Sequence, residues 1–206
     1  VNGLKRNLIE LYAAKQIKNQ TTKQLEKNKA FIEDHFDFID HKKIWEINDF
    51  MKNVQSIDKK YDSIMIDPIN AFKKPRGVNA HEHDYETASK LRLYAKKFQT
   101  SIYVCMHAST DSLRKVHPVN HTYAGLPVRP SGADAEGGGK WISRACDFIT
   151  IHRYTQSSTD WMYTQVHCLK IKETETGGSP TYFDEPVLFK LERGLAFTCG
   201  GINSLQ

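Results

Sequence analysis

The sequence predicts an α/β fold: a mostly parallel sheet flanked by helices, with antiparallel strands toward its C-terminal end. Three observations carry this. Ile64, Met65 and Ile66 form a short apolar run that stops at Asp67 and Pro68, and "SIYVCMH" at 101–107 is a second such run. Between them, residues 84–98 have helical period, with Ala88, Leu91, Tyr94 and Ala95 turned inward. From residue 161 the pattern changes, and "WMYTQVHCLKIK" and "PVLFKLERG" read as strands with no helix between them.

The remaining elements follow the same rules. Residues 4–17 place Leu4, Leu8, Leu11 and Tyr12 at helical spacing. Residues 22–34 are helical too, with Thr21 or Thr22 as the cap. "HFDFID" alternates Phe36, Phe38 and Asp40 in strand fashion. Residues 46–59 are amphipathic, with Ile47, Phe50, Met51, Val54 and Ile57 on one face. Residues 69–82 read as a loop carrying Pro75 and Gly77, and "DFITIHR" as a further strand. Residues 108–140 are the least regular stretch, with Pro118, Pro127 and Pro130 and four glycines between 132 and 139. A polar loop that long in a compact domain is usually functional or mobile. The expected organisation is one domain over residues 1–206.

Bulk properties narrow the class. The chain has 206 residues, of which 39% are hydrophobic, enough for a real core. Nothing approaches the run of about 20 apolar residues that a membrane helix needs, so no membrane partner is expected. No signal-peptide pattern opens the chain, and its first residue, Val1 rather than Met, suggests a truncated or processed product. Cys105, Cys146, Cys168 and Cys199 lie far apart without a C-x-x-C, which suits reduced thiols of a cytoplasmic protein. A net charge of +5 permits a nucleic-acid partner without demanding one.

Ligands of parallel α/β sheets sit beyond the carboxyl ends of the strands, where Asp67 lies. A buried strand closing in Asp is the Walker B arrangement, which offers one hard oxygen to hydrated Mg²⁺ beside nucleotide phosphates. Its usual companion, G-x-x-x-x-G-K-[ST], is not found. The nearest candidate, "SGADAEGGGKW", has Asp134 where the first glycine belongs and Trp141 where Ser or Thr should bind magnesium. A metal site in "HEHD" with His107, His117 and His121 is disfavoured. His81 and His83 would share a face only on a strand, and this stretch leads into a helix.

Several segments, in order, resemble the C-terminal ATPase domain of replicative ring helicases of the DnaB and Twinkle type, within the RecA-like P-loop NTPases, and phage versions most of all. They are "NLIELYAAKQI", "KAFIEDHFDFID", "INDFMKNVQSIDKKYDSIMIDPINAF", "DYETASKLRLYAKKFQTSIYVCMHAS", "PSGADAEGGGKWISRACDFITIHR" and "VHCLKIKETETGG". The resemblance implies that the phosphate loop and catalytic glutamate belong upstream, so that the chain is the later part of such a core. It implies ATP or another NTP, and Mg²⁺, as cofactors. Asp67 matches the Walker B aspartate and would hold Mg²⁺ through water. His107 matches the polar residue that senses the γ-phosphate. Lys170 and Lys172 match a pair reaching a neighbouring subunit's nucleotide, where a cation stabilises charge developing in phosphoryl transfer. The family prefers Arg at the second position, and Lys172 lacks the bidentate fork.

Residues 108–140 cover the family's channel-facing loops, so Arg114, Lys115, Arg129 and Lys140 would meet phosphates of single-stranded DNA. Asp147 and Arg153 also match family positions, and an ion pair would explain either. The implied protein is a helicase motor in a homo-oligomeric ring, expected to be a hexamer, working in the bacterial host cytoplasm if phage-encoded. Two alternatives stay open: a RecA-like recombination or regulatory DNA-binding ATPase, and a non-catalytic assembly module derived from such an ATPase.

Overall fold

The structure, a computed structural model, describes residues 2–39, 45–135, 138–192, 196–200 and 202–203. Two units divide the chain. One comprises Val1–Asp40, Ile151–His167 and Tyr182–Gln206, and the other His41–Thr150 and Cys168–Thr181.

The second unit carries every residue singled out above for nucleotide or DNA. Its centre is a strand–helix–strand unit. Strand β1 (Ser63–Ile66) pairs in parallel with β2 (Ser101–Val104), in the register Ser63↔Ser101 through Ile66↔Val104. Parallel neighbours need a crossover, and helix α4 (Ala80–Phe98) supplies it. Ile64 and Ile66 are buried on one face of β1, whereas Met65 points the other way and is 67% exposed. Helix α3 (Ile47–Ser56) precedes β1 and buries Ile47 and Val54, two of the residues its periodicity placed on one face. Phe50 on α3 meets Phe72 edge-on, with ring centroids 5.3 Å apart. Ala88 and Leu91 of α4 are buried, as their spacing predicts.

Helix α4 starts at Ala80, earlier than the predicted 84. The Asn79 side chain accepts the His81 N–H at 2.9 Å and caps the helix there, so "HEHD" belongs to its first turn. The stretch 108–140 is more ordered than predicted. It contains α5 (Thr110–Leu113), a hairpin described below and the start of α6 (Gly138–Arg144). Strand β3 (Phe148–His152) follows, and α7 (Thr174–Gly177) is a single turn.

In the first unit, α1 (Asn2–Ala13) and α2 (Thr22–His35) follow one another in sequence. The first helix stops at Ala13 rather than running to 17, because Ala14 takes a left-handed φ of 48°. Glu10 then accepts the Ile17 N–H at 3.0 Å, and this bond, helped by Arg6, holds its carboxyl below the usual range. Thr21 is the cap of α2. Its hydroxyl accepts from Gln24 N–H and the Gln24 side chain accepts from Thr21 N–H, a reciprocal box.

The strand predicted over "HFDFID" does not form. His35 still belongs to α2, residues 36–39 are in no strand, and Asp40 lies outside the described residues. Phe36 and Phe38 instead stack on each other at 6.3 Å.

The predicted antiparallel strands are present. β4 (Tyr163–Lys170), β5 (Val187–Glu192), β6 (Ala196–Cys199) and β7 (Ile202–Asn203) are consecutive neighbours, with β3 next to β4 in the strand order. β4–β5, β5–β6 and β6–β7 are all antiparallel. The chain is therefore mixed α/β, with a parallel pair and an antiparallel run.

Candidate functional site

Asp67 follows the last residue of β1 and His107 lies three residues beyond β2. Because Ile66 stands opposite Val104, the two side chains emerge at the carboxyl ends of adjacent parallel strands. The pairing continues past the strands themselves. Cys105 N–H donates to Ile66 C=O at 2.8 Å, and Ile69 N–H to Cys105 C=O at 3.0 Å. The main chain around Asp67 is thus held on both sides.

The carboxylate itself is exposed, and among the described residues it has no hydrogen-bond or ion-pair partner. An acid that merely capped a turn would accept from the N–H groups that follow it. Burial, and then the charge of Asp67, push the Cys105 thiol up, which places that charge beside the strand tip. His107 is likewise exposed and without a partner among the described residues.

The four residues expected at DNA sit on two elements. Residues 115–128 form a hairpin: Val128 N–H donates to Lys115 C=O at 2.8 Å, and His117 N–H to Leu126 C=O at 2.9 Å. Val116 bridges Pro127, and Gly125 turns with φ +76°. Arg114 and Lys115 enter the hairpin and Arg129 leaves it. Arg114 is largely in water, its guanidinium 3.6 Å from the exposed Asp111. Arg129 is half-buried. Lys140 is elsewhere, on α6. It lines an open groove of about 770 Å³ with Asn79, His81, Glu82 and Tyr85.

Lys115 is tied down. Its ammonium donates to Asp134 at 2.8 Å, and the other Asp134 oxygen accepts from Ser131 hydroxyl (2.7 Å) and Ser131 N–H (2.8 Å). These bonds, Lys115 first, draw the Asp134 pKa down to about 2. Asp134 C=O in turn accepts from Ser109 N–H at 2.7 Å, and Ala135 bridges Ala108. The base of the hairpin is therefore knotted to residues one and two beyond His107. Gly132 lets this knot close. A Cβ there would stand 2.5 Å from Ile142 Cδ1 and 3.2 Å from Phe148 Cε1.

The knot is acid-sensitive. Asp134 titrates below its unfolded value of 3.8, so its contribution is complete above pH 4 and is lost as the pH falls through 2. Asp134→Asn is expected to cost about 1 kcal/mol at pH 7, less than full linkage because the Lys115 ammonium is in water. Chemical unfolding at pH 7 and at pH 2 checks this; the gap between wild type and variant shrinks at the lower pH.

Lys170 and Lys172 part company. The Lys170 ammonium donates to Ile142 C=O and to Ala145 C=O, both at 2.7 Å, closing the C-terminal end of α6. The Lys172 side chain is exposed, and among the described residues only its main-chain N–H is engaged, by Asp147 at 3.2 Å. Arg153 donates to Trp161 C=O within the first unit. Composition and spacing gave no sign of the Lys170 cap. The S-x-x-D at Ser131–Asp134, by contrast, is a capping signature readable in the sequence.

Neither a protein-family model nor a curated protein sequence matches the chain. Solved structures do. The chain superposes on a DnaB-like replicative helicase, solved for its interactions with primase, with a TM-score of 0.69 and 13% identity. That match covers 93% of this chain and 46% of the helicase chain. A second solved structure, an ATPase domain, gives a TM-score of 0.71 at 12% identity, covering 92% of this chain and 67% of that domain. The fold is that of a DnaB-type ATPase core. At such identities the likeness lies in the backbone, and the chain spans about half the length of the first of these proteins.

Among the described residues, no group of three or more His, Cys, Asp and Glu side chains is arranged to hold a metal. An exposed lone carboxylate is nonetheless what Mg²⁺ takes when it keeps most of its waters and shares the rest of its shell with phosphates. The four cysteines are free thiols. No helix among the described residues is long and apolar enough to cross a membrane.

Proposed function

We propose that this chain acts as an ATPase motor domain of a replicative DNA helicase, coupling NTP hydrolysis between subunits of a ring to movement along single-stranded DNA. The observation that carries it is the Asp67 carboxylate, unpartnered among the described residues, at the tip of a parallel strand with one buried face, beside the tip that bears His107, in a DnaB-type ATPase core. In this reading Asp67 holds Mg²⁺ through water and the strand fixes its position. Mg²⁺, when bound, neutralises charge on the phosphates. His107 faces the same edge and senses the terminal phosphate. The knot at Asp134 joins the stretch after β2 to the hairpin, giving nucleotide state a covalent and hydrogen-bonded route toward DNA. Lys172 is the cation left to reach a neighbouring subunit, because Lys170 is engaged within its own.

The DNA half is tested by binding. The chain is expected to bind a fluorescent oligothymidylate, with affinity falling as salt rises. Arg114→Ala and Lys140→Ala should each flatten the log–log salt slope by about 0.7, the value for one phosphate contact on a single strand. Lys115→Ala should change it less, since that ammonium already serves Asp134. Absence of binding at about 50 mM salt, or slopes indifferent to both substitutions, contradicts the assignment.

A further inference from the structure

The hairpin tip holds a ring cluster that the phosphate contacts do not use. His117 and His121 stack face to face, with centroids 3.9 Å apart and planes within 10°. Tyr123 leans on both, 6.0 Å from His117 and 5.7 Å from His121. The geometry is set by the main chain. His121 N–H donates to Pro118 C=O and Ala124 N–H to His121 C=O, each at 3.0 Å, so two tight turns follow one another. Tyr123 N–H donates to His121 Nδ1 at 3.0 Å. That bond fixes the His121 ring in one orientation and leaves its proton on Nε2. Burial, and then His121, hold the His117 imidazole below its usual pKa, which suits a neutral partner in a stack.

The surroundings point to one kind of ligand. From Ser112 to Ala133 the chain has 22 residues without a single Asp or Glu, but with Arg114, Lys115 and Arg129. His121 is exposed, His117 and Tyr123 are half-buried, and Val119 beside them is 96% exposed. An exposed, pre-oriented aromatic face inside an acid-free segment is a platform for a planar, uncharged ring attached to a polyanion.

We propose that the His117–His121–Tyr123 cluster stacks an unpaired nucleobase of single-stranded DNA, with the outer face of His121 as the contact. This rests on the DNA-binding half of the proposed function and deepens it: Arg114 and Lys140 hold phosphate, and the histidine column holds base. Stacking of this kind is tolerant of sequence, because every base has a π-face.

The test compares two oligonucleotides of equal length and charge, oligothymidylate and a fully abasic strand, by fluorescence anisotropy on the full chain. Wild type is expected to bind the first about tenfold more tightly. His121→Ala should remove that preference while leaving affinity for the abasic strand and the salt slope unchanged. His121→Phe should restore it, since a phenyl ring stacks without the imidazole's hydrogen bonds. Equal wild-type affinity for the two strands overturns the platform and leaves the phosphate contacts standing. So does equal weakening of both by His121→Ala, which would make the ring a hairpin strut. Failure of wild type to bind either strand overturns the DNA reading itself.

Discussion

Lys170→Met should lower the stability of the chain by about 3 kcal/mol, the sum of two lost charge-assisted hydrogen bonds at about 1.5 each. Methionine keeps the length and most of the apolar stem, so packing changes little. What disappears is the donor to Ile142 C=O and Ala145 C=O. Those carbonyls belong to the end of α6, where a helix has no partners of its own. The lysine reaches back 28 residues to supply them and carries a positive charge to the negative end of the helix dipole. Lys172→Met is the control. Its side chain is exposed, and its expected effect lies within about 0.5 kcal/mol. Urea unfolding reads both through the midpoint, with the slope unchanged. If Lys170→Met proves neutral, the ammonium is not committed to α6 and becomes available to a neighbouring subunit's nucleotide.

The second large effect concerns turnover. These 206 residues contain no G-x-x-x-x-G-K-[ST]. In phosphoryl transfer the protein acts mainly by positioning and by electrostatic stabilisation, and backbone N–H groups of that loop do much of both. In the proposed function Asp67 would orient a metal and His107 would touch a terminal phosphate, and neither would cradle the β- and γ-phosphates. The purified chain is therefore expected to hydrolyse ATP slower than about 10⁻² s⁻¹, three orders below a typical enzyme turnover of about 10 s⁻¹. A coupled phosphate-release assay decides it. Turnover near 10 s⁻¹ would mean that another segment binds the phosphates, and Asp67 would lose its assigned place. Single-strand binding without hydrolysis would also suit the assembly-module alternative, which only the metal measurement below separates.

Much of this was legible before the structure. The β1–α4–β2 unit announced itself because a parallel pair needs an intervening helix and apolar residues to pack with it, and Ile64, Ile66, Ala88 and Leu91 supply them. Asp67 was visible for the same reason: a charged residue ending an apolar run breaks the pattern. Local rules failed where long-range geometry decides. The alternation of "HFDFID" carries no information about whether a partner strand exists, and none does at 36–39. Prolines 118 and 127 masked the hairpin, although its ladder avoids them as donors and uses the N–H groups of His117 and Val128 instead. The short strands β6 and β7 sit around a glycine pair and gave no periodic signal. Lys170 looked like half of a basic pair, and nothing in "LKIK" reveals that a helix end lies against it.

In the proposed function the tips of β1 and β2 form the edge that meets metal and nucleotide. Paramagnetic broadening by Mn²⁺–ATP, with manganese standing in for magnesium, tests it most directly, because it registers even weak binding. Amide resonances of Ile69, Cys105, Met106 and His107 should broaden first. Those of Ser63 and Ser101, about 10 Å away at the other ends of the strands, should broaden only at higher Mn²⁺–ATP, because the effect falls with the sixth power of distance. Asp67→Asn should abolish the effect. Broadening that centres on other carboxylates, or that survives Asp67→Asn, would place the metal elsewhere and contradict the account.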